Sequence, residues 1–178
     1  LEFRRVLFRS LAVGTDGAIT VVGTTWCDTF PTTPDAWYPD HLGWDDGFIL
    51  QLSSDLTTLL YGTFMGDEYV YWTSDSVNAV AAVTDGTYFI AGITGYEDGG
   101  FIYTGRFTAD LRSTIDFDQG FLKFAPLALE PSPADDGVYV VGVTSDSGFE
   151  TTPGAWDTTY TGYGDFVVLK YDHSFILQ

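Results

Sequence analysis

Positive charge is scarce in this chain: seven Lys and Arg stand against 25 Asp and Glu, a formal net charge of −18. That balance excludes nucleic acid and anionic membrane as partners, because both are held by cationic patches that release counterions. Cysteine is nearly missing too. Cys27 alone cannot close an internal disulfide, and no His-plus-carboxylate pattern marks it as a nucleophile. The one Asn, Asn78, precedes Ala-Val and so is no N-glycosylation acceptor. No run of 18 apolar residues exists, which leaves no membrane-spanning segment of that kind. Helical periodicity with caps over three turns is absent as well.

What is present is a core. Hydrophobic residues make up 45% of 178 and aromatics 17%, enough to exclude disorder despite the charge. Glu occurs only at positions 2, 68, 97, 130 and 150, so the acids are mostly Asp; with 20 Gly they mark short turns between strands. An acidic, Lys-poor surface also suits a salty or extracellular medium. The first ten residues, "LEFRRVLFRS", differ from the rest and hold Arg4, Arg5 and Arg9. They resemble a sequencing adapter read in frame and lack the features of a signal peptide, so residues 1–10 are expected to be a non-native leader outside the fold.

The remainder repeats. "TDGAITVVGTT" (Thr15 to Thr25), "TDGTYFIAGIT" (Thr84 to Thr94) and "ADDGVYVVGVT" (Ala134 to Thr144) align on Gly-x-Thr. Each is an Asp-Gly turn running into β-branched and aromatic residues, and each follows a short apolar run: "LAV", "AVAAV" or "PLAL". Every unit therefore opens with a strand–turn–strand hairpin. The first and third units then share a Thr-Thr-Pro-x-Ala-Trp loop, at "FPTTPDAW" and "FETTPGAW", followed by the apolar strands "DGFILQL" and "DFVVLKY". The middle unit lacks that loop and passes through "GYEDGG" into "FIYTGRF". The expected fold is all-β, with about three four-stranded antiparallel blades of β-propeller type over 11–66, 67–120 and 121–178, the last cut short after its third strand.

The run "DTFPTTPDAW", "DDGFILQLSSDLTTLLYGTFMG" and "NAVAAVTDGTYFIAGIT" resembles the bacterial SBBP family, a seven-bladed β-propeller repeat. The likeness covers nearly all of Leu11 to Gln178 and is poor only over Tyr96 to Leu122. It implies a partial propeller from a secreted or cell-surface protein, acting as a non-catalytic structural or binding module. A propeller enzyme acting on polysaccharide, a lyase or glycosidase, is the alternative, and a self-assembling surface filament is another.

Candidate site residues follow from the loops. Trp37 and Trp156 share one repeat position and are either wedges between blades or stacking platforms for a neutral glycan. Trp26, Trp44 and Trp72 do not repeat, which makes them ligand candidates as well. Asp45 with Asp46, Asp135 with Asp136, and Asp165 either cap turns or supply oxygens to calcium. No catalytic residues are expected: neither His41 nor His173 has metal-ligand spacing, and no nucleophile elbow or phosphate-binding glycine loop appears. Partners that fit are a glycan, a protein, or further copies of the chain.

Overall fold

The computed structural model describes residues 5–66, 74–95, 101–121 and 124–174. It is all-β. Among the described residues eleven strands follow one another: β1 (Val6–Val13), β2 (Ile19–Thr25), β3 (Asp46–Leu52), β4 (Leu59–Met65), β5 (Ser76–Ala82), β6 (Tyr88–Thr94), β7 (Phe101–Phe107), β8 (Thr114–Phe121), β9 (Ala125–Ser132), β10 (Gly137–Thr144) and β11 (Asp165–Tyr171). They form three antiparallel sheets, β1-β2-β3-β4, β5-β6-β7-β8 and β9-β10-β11, each a meander in chain order. The first strands of the sheets are neighbours, with β5 touching both β1 and β9. Repeated meanders packed face to face through their first strands fit propeller-like blades.

Alternation along the strands decides which side chain meets which sheet. Val22 and Ile49, paired across β2 and β3, point at the second sheet and meet Val77, Val80, Tyr88 and Ile90. One residue away, Val21 and Leu50 point to the other face, where Phe30 folds back over Phe48, Leu50 and Phe64. The second sheet repeats the division. Tyr88, Ile90 and Tyr103 face the first sheet, while Phe89, Ala91 and Ile102 face the third, against Leu129, Val138, Val140 and Tyr171. The core is thus two interlayer slabs, each completed by a neighbouring sheet, and a third cluster on the outer face of the first sheet that Phe30 closes.

Two expectations change. Val6 to Ser10, set aside as part of a leader, lie in β1 and pair with β2 through Val6–Thr25, Leu7–Thr24, Phe8–Gly23 and Ser10–Val22. Their β-branched and aromatic residues complete the first meander, and a bulge between Phe8 and Ser10 restores the alternation. The third hairpin turn also differs from its two relatives. Gly17 and Gly86 take φ of 83° and 89°, the left-handed region that glycine supplies cheaply, but in the third turn Asp136 takes it, at 51°. Gly137 serves a different need, since a Cβ there would lie 2.2 Å from the Tyr171 carbonyl oxygen.

Candidate functional site: the loops that join the sheets

The β2–β3 and β10–β11 connections are the same loop twice, held by equivalent bonds. Thr25 Oγ1 accepts from Cys27 N at 3.1 Å, and Thr144 Oγ1 accepts from Asp146 N at 3.1 Å. Phe30 N donates to Cys27 O and Phe149 N to Asp146 O, both at 3.1 Å. Ala36 N donates to Thr33 O and Ala155 N to Thr152 O, both at 3.0 Å. Asp46 then closes the first loop by accepting from Leu42 N at 2.7 Å and Gly43 N at 3.1 Å. Asp165 closes the second by accepting from Thr161 N at 2.6 Å. Such Asp and Thr acceptors satisfy backbone donors that no ladder reaches.

Within these matched loops the two Phe side chains do the same work and the two Trp side chains do not. Phe30 covers the outer face of the first sheet, and Phe149 packs on the slab between the second and third sheets. Trp37 crosses from the first sheet to the second. Its ring lies 5.4 Å from that of Phe107, and Nε1 donates to the Arg112 carbonyl at 3.0 Å. Arg112 answers in the other direction, placing its guanidinium 5.0 Å over Tyr61 and donating to Leu60 O at 3.1 Å and to Asp35. Trp156 is 100% exposed. The wedge role is therefore filled by Trp37 and left open by Trp156.

Beside Trp37 the first two sheets part into a cleft of about 270 Å³. Trp37, Tyr38 and Met65 form one wall; Tyr103 and Phe117, whose rings stack at 6.1 Å, form the other. Gly66, Thr94 and Thr114 complete a lining without a charged side chain, on a chain of net charge −18. Burial pushes the Tyr103 hydroxyl well above its usual range, helped by the negative charge of Asp75, so it is a neutral donor, to Ser76 O at 3.1 Å. A second, larger depression of about 560 Å³ spans Trp156, Tyr160, Phe166 and Val168 on the third sheet.

The remaining candidates are dispersed. Trp26 and Trp44 are exposed, Trp26 donating its backbone N–H to Arg5 O at 3.0 Å, and Trp72 lies outside the described residues. Among the described residues no group of three or more His, Cys, Asp or Glu is arranged to hold a metal ion. The carboxylates proposed for calcium lie in different sheets, and the structure gives most of them other partners. Asp135 caps its turn through Gly137 N at 3.3 Å and pairs with Lys170, which holds its carboxyl down at about 2. Asp136 accepts from Thr84 Oγ1, while Asp45 O accepts from Asp75 N at 2.9 Å. Asp46 is buried, and desolvation raises its carboxyl, with the charge of Asp75 adding to the rise and its two backbone donors opposing it. His41, half-buried with its ring largely covered, sits between Asp28 at 3.3 Å and Asp46 at 3.9 Å.

One polar contact escaped the sequence reading. Gln51, Arg106 and Lys170 occupy one repeat position. Gln51 Nε2 donates to Ala109 O at 3.0 Å, just past β7 of the second sheet, and Arg106 donates to His173 O, just past β11 of the third. Each side chain thus reaches the same backbone position of the following sheet. Three different residue types hid the pattern; their common place one residue before the last of a third strand was the available signal.

These features define an all-β protein of stacked, propeller-like antiparallel sheets tied by repeated loops. The chain matches no known protein-family model, and no curated protein matches it in sequence.

Proposed function

We propose that this chain is a non-catalytic binding module of propeller type, built from SBBP-like repeats and working outside the cell, with a neutral glycan as its ligand. The observation that carries this reading is the cleft between the first two sheets. Aromatic faces on both walls and an uncharged lining suit the apolar faces and neutral hydroxyls of a sugar ring. A volume of about 270 Å³ suits one or two sugar rings rather than a long chain. The working location outside the cell follows the family resemblance. Titration with neutral mono- and disaccharides, followed by tryptophan fluorescence and by NMR of the sugar, tests the proposal. Binding that Phe117→Ala weakens about tenfold supports it, since that substitution removes one stacking face. No response from any neutral sugar up to about 10 mM refutes it, because that limit already corresponds to binding too weak to be specific.

A further inference from the structure

We infer that the outer face of the third sheet is an interface for a second copy of this chain, which docks there head to tail with the β1 face of its first sheet. The inference starts from residues that share a repeat position and differ in burial. Ile49 is 1% exposed under the second sheet, while its counterpart Val168 is 67% exposed. Gly47 leaves room for only backbone and Val77 at the first interface, while its counterpart Phe166 is 79% exposed. Trp37 is seated on Phe107 and its counterpart Trp156 is fully exposed. The β11 part of the face by which the first sheet receives the second is therefore present on the third sheet, without counterparts of the β4 residues Tyr61 and Met65 among the described residues, and with Phe166 spacing the junction wider where Gly47 allows close approach.

The opposite end of the molecule carries the matching half. In the second sheet, Val80 and Ala82 pair with Ile90 and Tyr88 and dock against the first sheet. The same positions of β1 are Leu11 and Val13, paired with Val21 and Ile19 and exposed. The chain thus presents an unused acceptor face at one end and an unused donor face at the other, both continuous with an interface it already makes twice. Lys170 stands where Gln51 and Arg106 reach a turn carbonyl of the following sheet, so it is placed to do the same across the junction. Charge agrees locally: the exposed Arg5 and Arg9 lie at the β1 end, and the third repeat is acidic.

Two different patches meeting in this way give a heterologous contact, which closes into a ring when the rotation allows. Because each chain is strongly acidic overall, the contact depends on apolar burial and tightens as salt screens the repulsion.

The test is sedimentation equilibrium of the full chain from about 1 to 200 µM, the range where modest protein interfaces associate, in 0.15 M and 1 M NaCl. Expected is a species of twice the 19.5 kDa chain mass or larger, favoured by the higher salt. Val168→Asp at the acceptor face and Leu11→Asp at the donor face should each weaken association tenfold or more, as loss of a central apolar contact does. If either Asp substitution unfolds its sheet, Trp156→Gln and Val13→Thr, at exposed positions, decide the matter. A mass of 19.5 kDa at every concentration overturns the inference. So does association that the acceptor-face variants leave unchanged, and so does sensitivity at the acceptor face alone, which would mean a symmetric tail-to-tail pair.

Discussion

Truncating Trp37 and Trp156 to Ala in separate variants asks whether one sequence position can carry two very different energies. Full burial of an aromatic ring makes its loss to Ala worth about 3–5 kcal/mol. Trp37 is half-buried, so about 2 kcal/mol is due to packing, including the Phe107 ring beside it. Its Nε1 bond to the Arg112 carbonyl adds about 1 kcal/mol. The sum, roughly 3 kcal/mol, can be set against an unfolding entropy of about 2.1 cal/mol/K per residue, or about 0.37 kcal/mol/K for this chain. The midpoint should then fall by roughly 8 °C. Trp156→Ala should move it by less than about 1.5 °C, the range of a surface substitution of about 0.5 kcal/mol. Thermal and urea melts followed by far-UV circular dichroism, at a concentration where sedimentation velocity shows single chains, read both. Trp37→Phe should fall between, keeping the ring stack and losing the indole bond. Equal effects of the two Ala variants, or a Trp37→Ala shift below about 2 °C, would refute the wedge assignment, because a surface residue costs no more.

Gly47→Ala should destabilise by about 1–3 kcal/mol, since the added Cβ would lie 2.8 Å from Met65 O and 2.9 Å from Val77 Cγ2; urea unfolding measures this, and a neutral result would mean the first two sheets can part. In acid, the Asp135 carboxyl is charged in the fold down to about pH 2, so its pairing with Lys170 is a stabilising term present above the ordinary carboxylate range and lost as pH falls toward 2; Asp135→Asn should flatten the melting temperature between about pH 4 and 2. Asp46 works with the opposite sign. Its raised carboxyl favours the fold in the protonated form, and stability falls as pH rises past the ordinary carboxylate value, so Asp46→Asn should remove part of that decline while losing one of two backbone acceptors. Calcium at about 5 mM, followed by chelator, tests the Asp loops: a reversible rise of several degrees in the melting midpoint would show a native metal site through mass action, and an unchanged midpoint would leave Asp135 and Asp136 to the contacts with Lys170, Gly137 and Thr84.

Much of the architecture was legible along the chain. Asp-Gly turns before β-branched runs located the hairpins, and "DGFILQL" and "DFVVLKY" are β3 and β11 to the residue, because near-continuous apolar stretches of seven form strands, though only β3 is covered on both faces while Phe166 and Val168 of β11 stay exposed. The repeated Thr-Thr-Pro-x-Ala-Trp phrase announced two equivalent loops, since each is held by the same local bonds, Ala36 N to Thr33 O and Ala155 N to Thr152 O, with Thr25 and Thr144 capping the preceding turn two residues on. The strand role of Val6 to Ser10 was not legible: a compositional resemblance to an adapter says nothing about whether a neighbouring strand has an open edge to pair with, and β2 had one.

Local sequence alone therefore determined what local forces govern: which segments are strands, where the turns fall, and that the units repeat. Tertiary structure decided everything that depends on having a neighbour. Trp37 and Trp156, Ile49 and Val168, Gly47 and Phe166 are pairs with one position in the repeat and two environments. Hydrogen bonds inside a turn are set by residues two to four apart, whereas burial of a sheet face is set by the presence of another sheet, and that information lies outside the repeat itself.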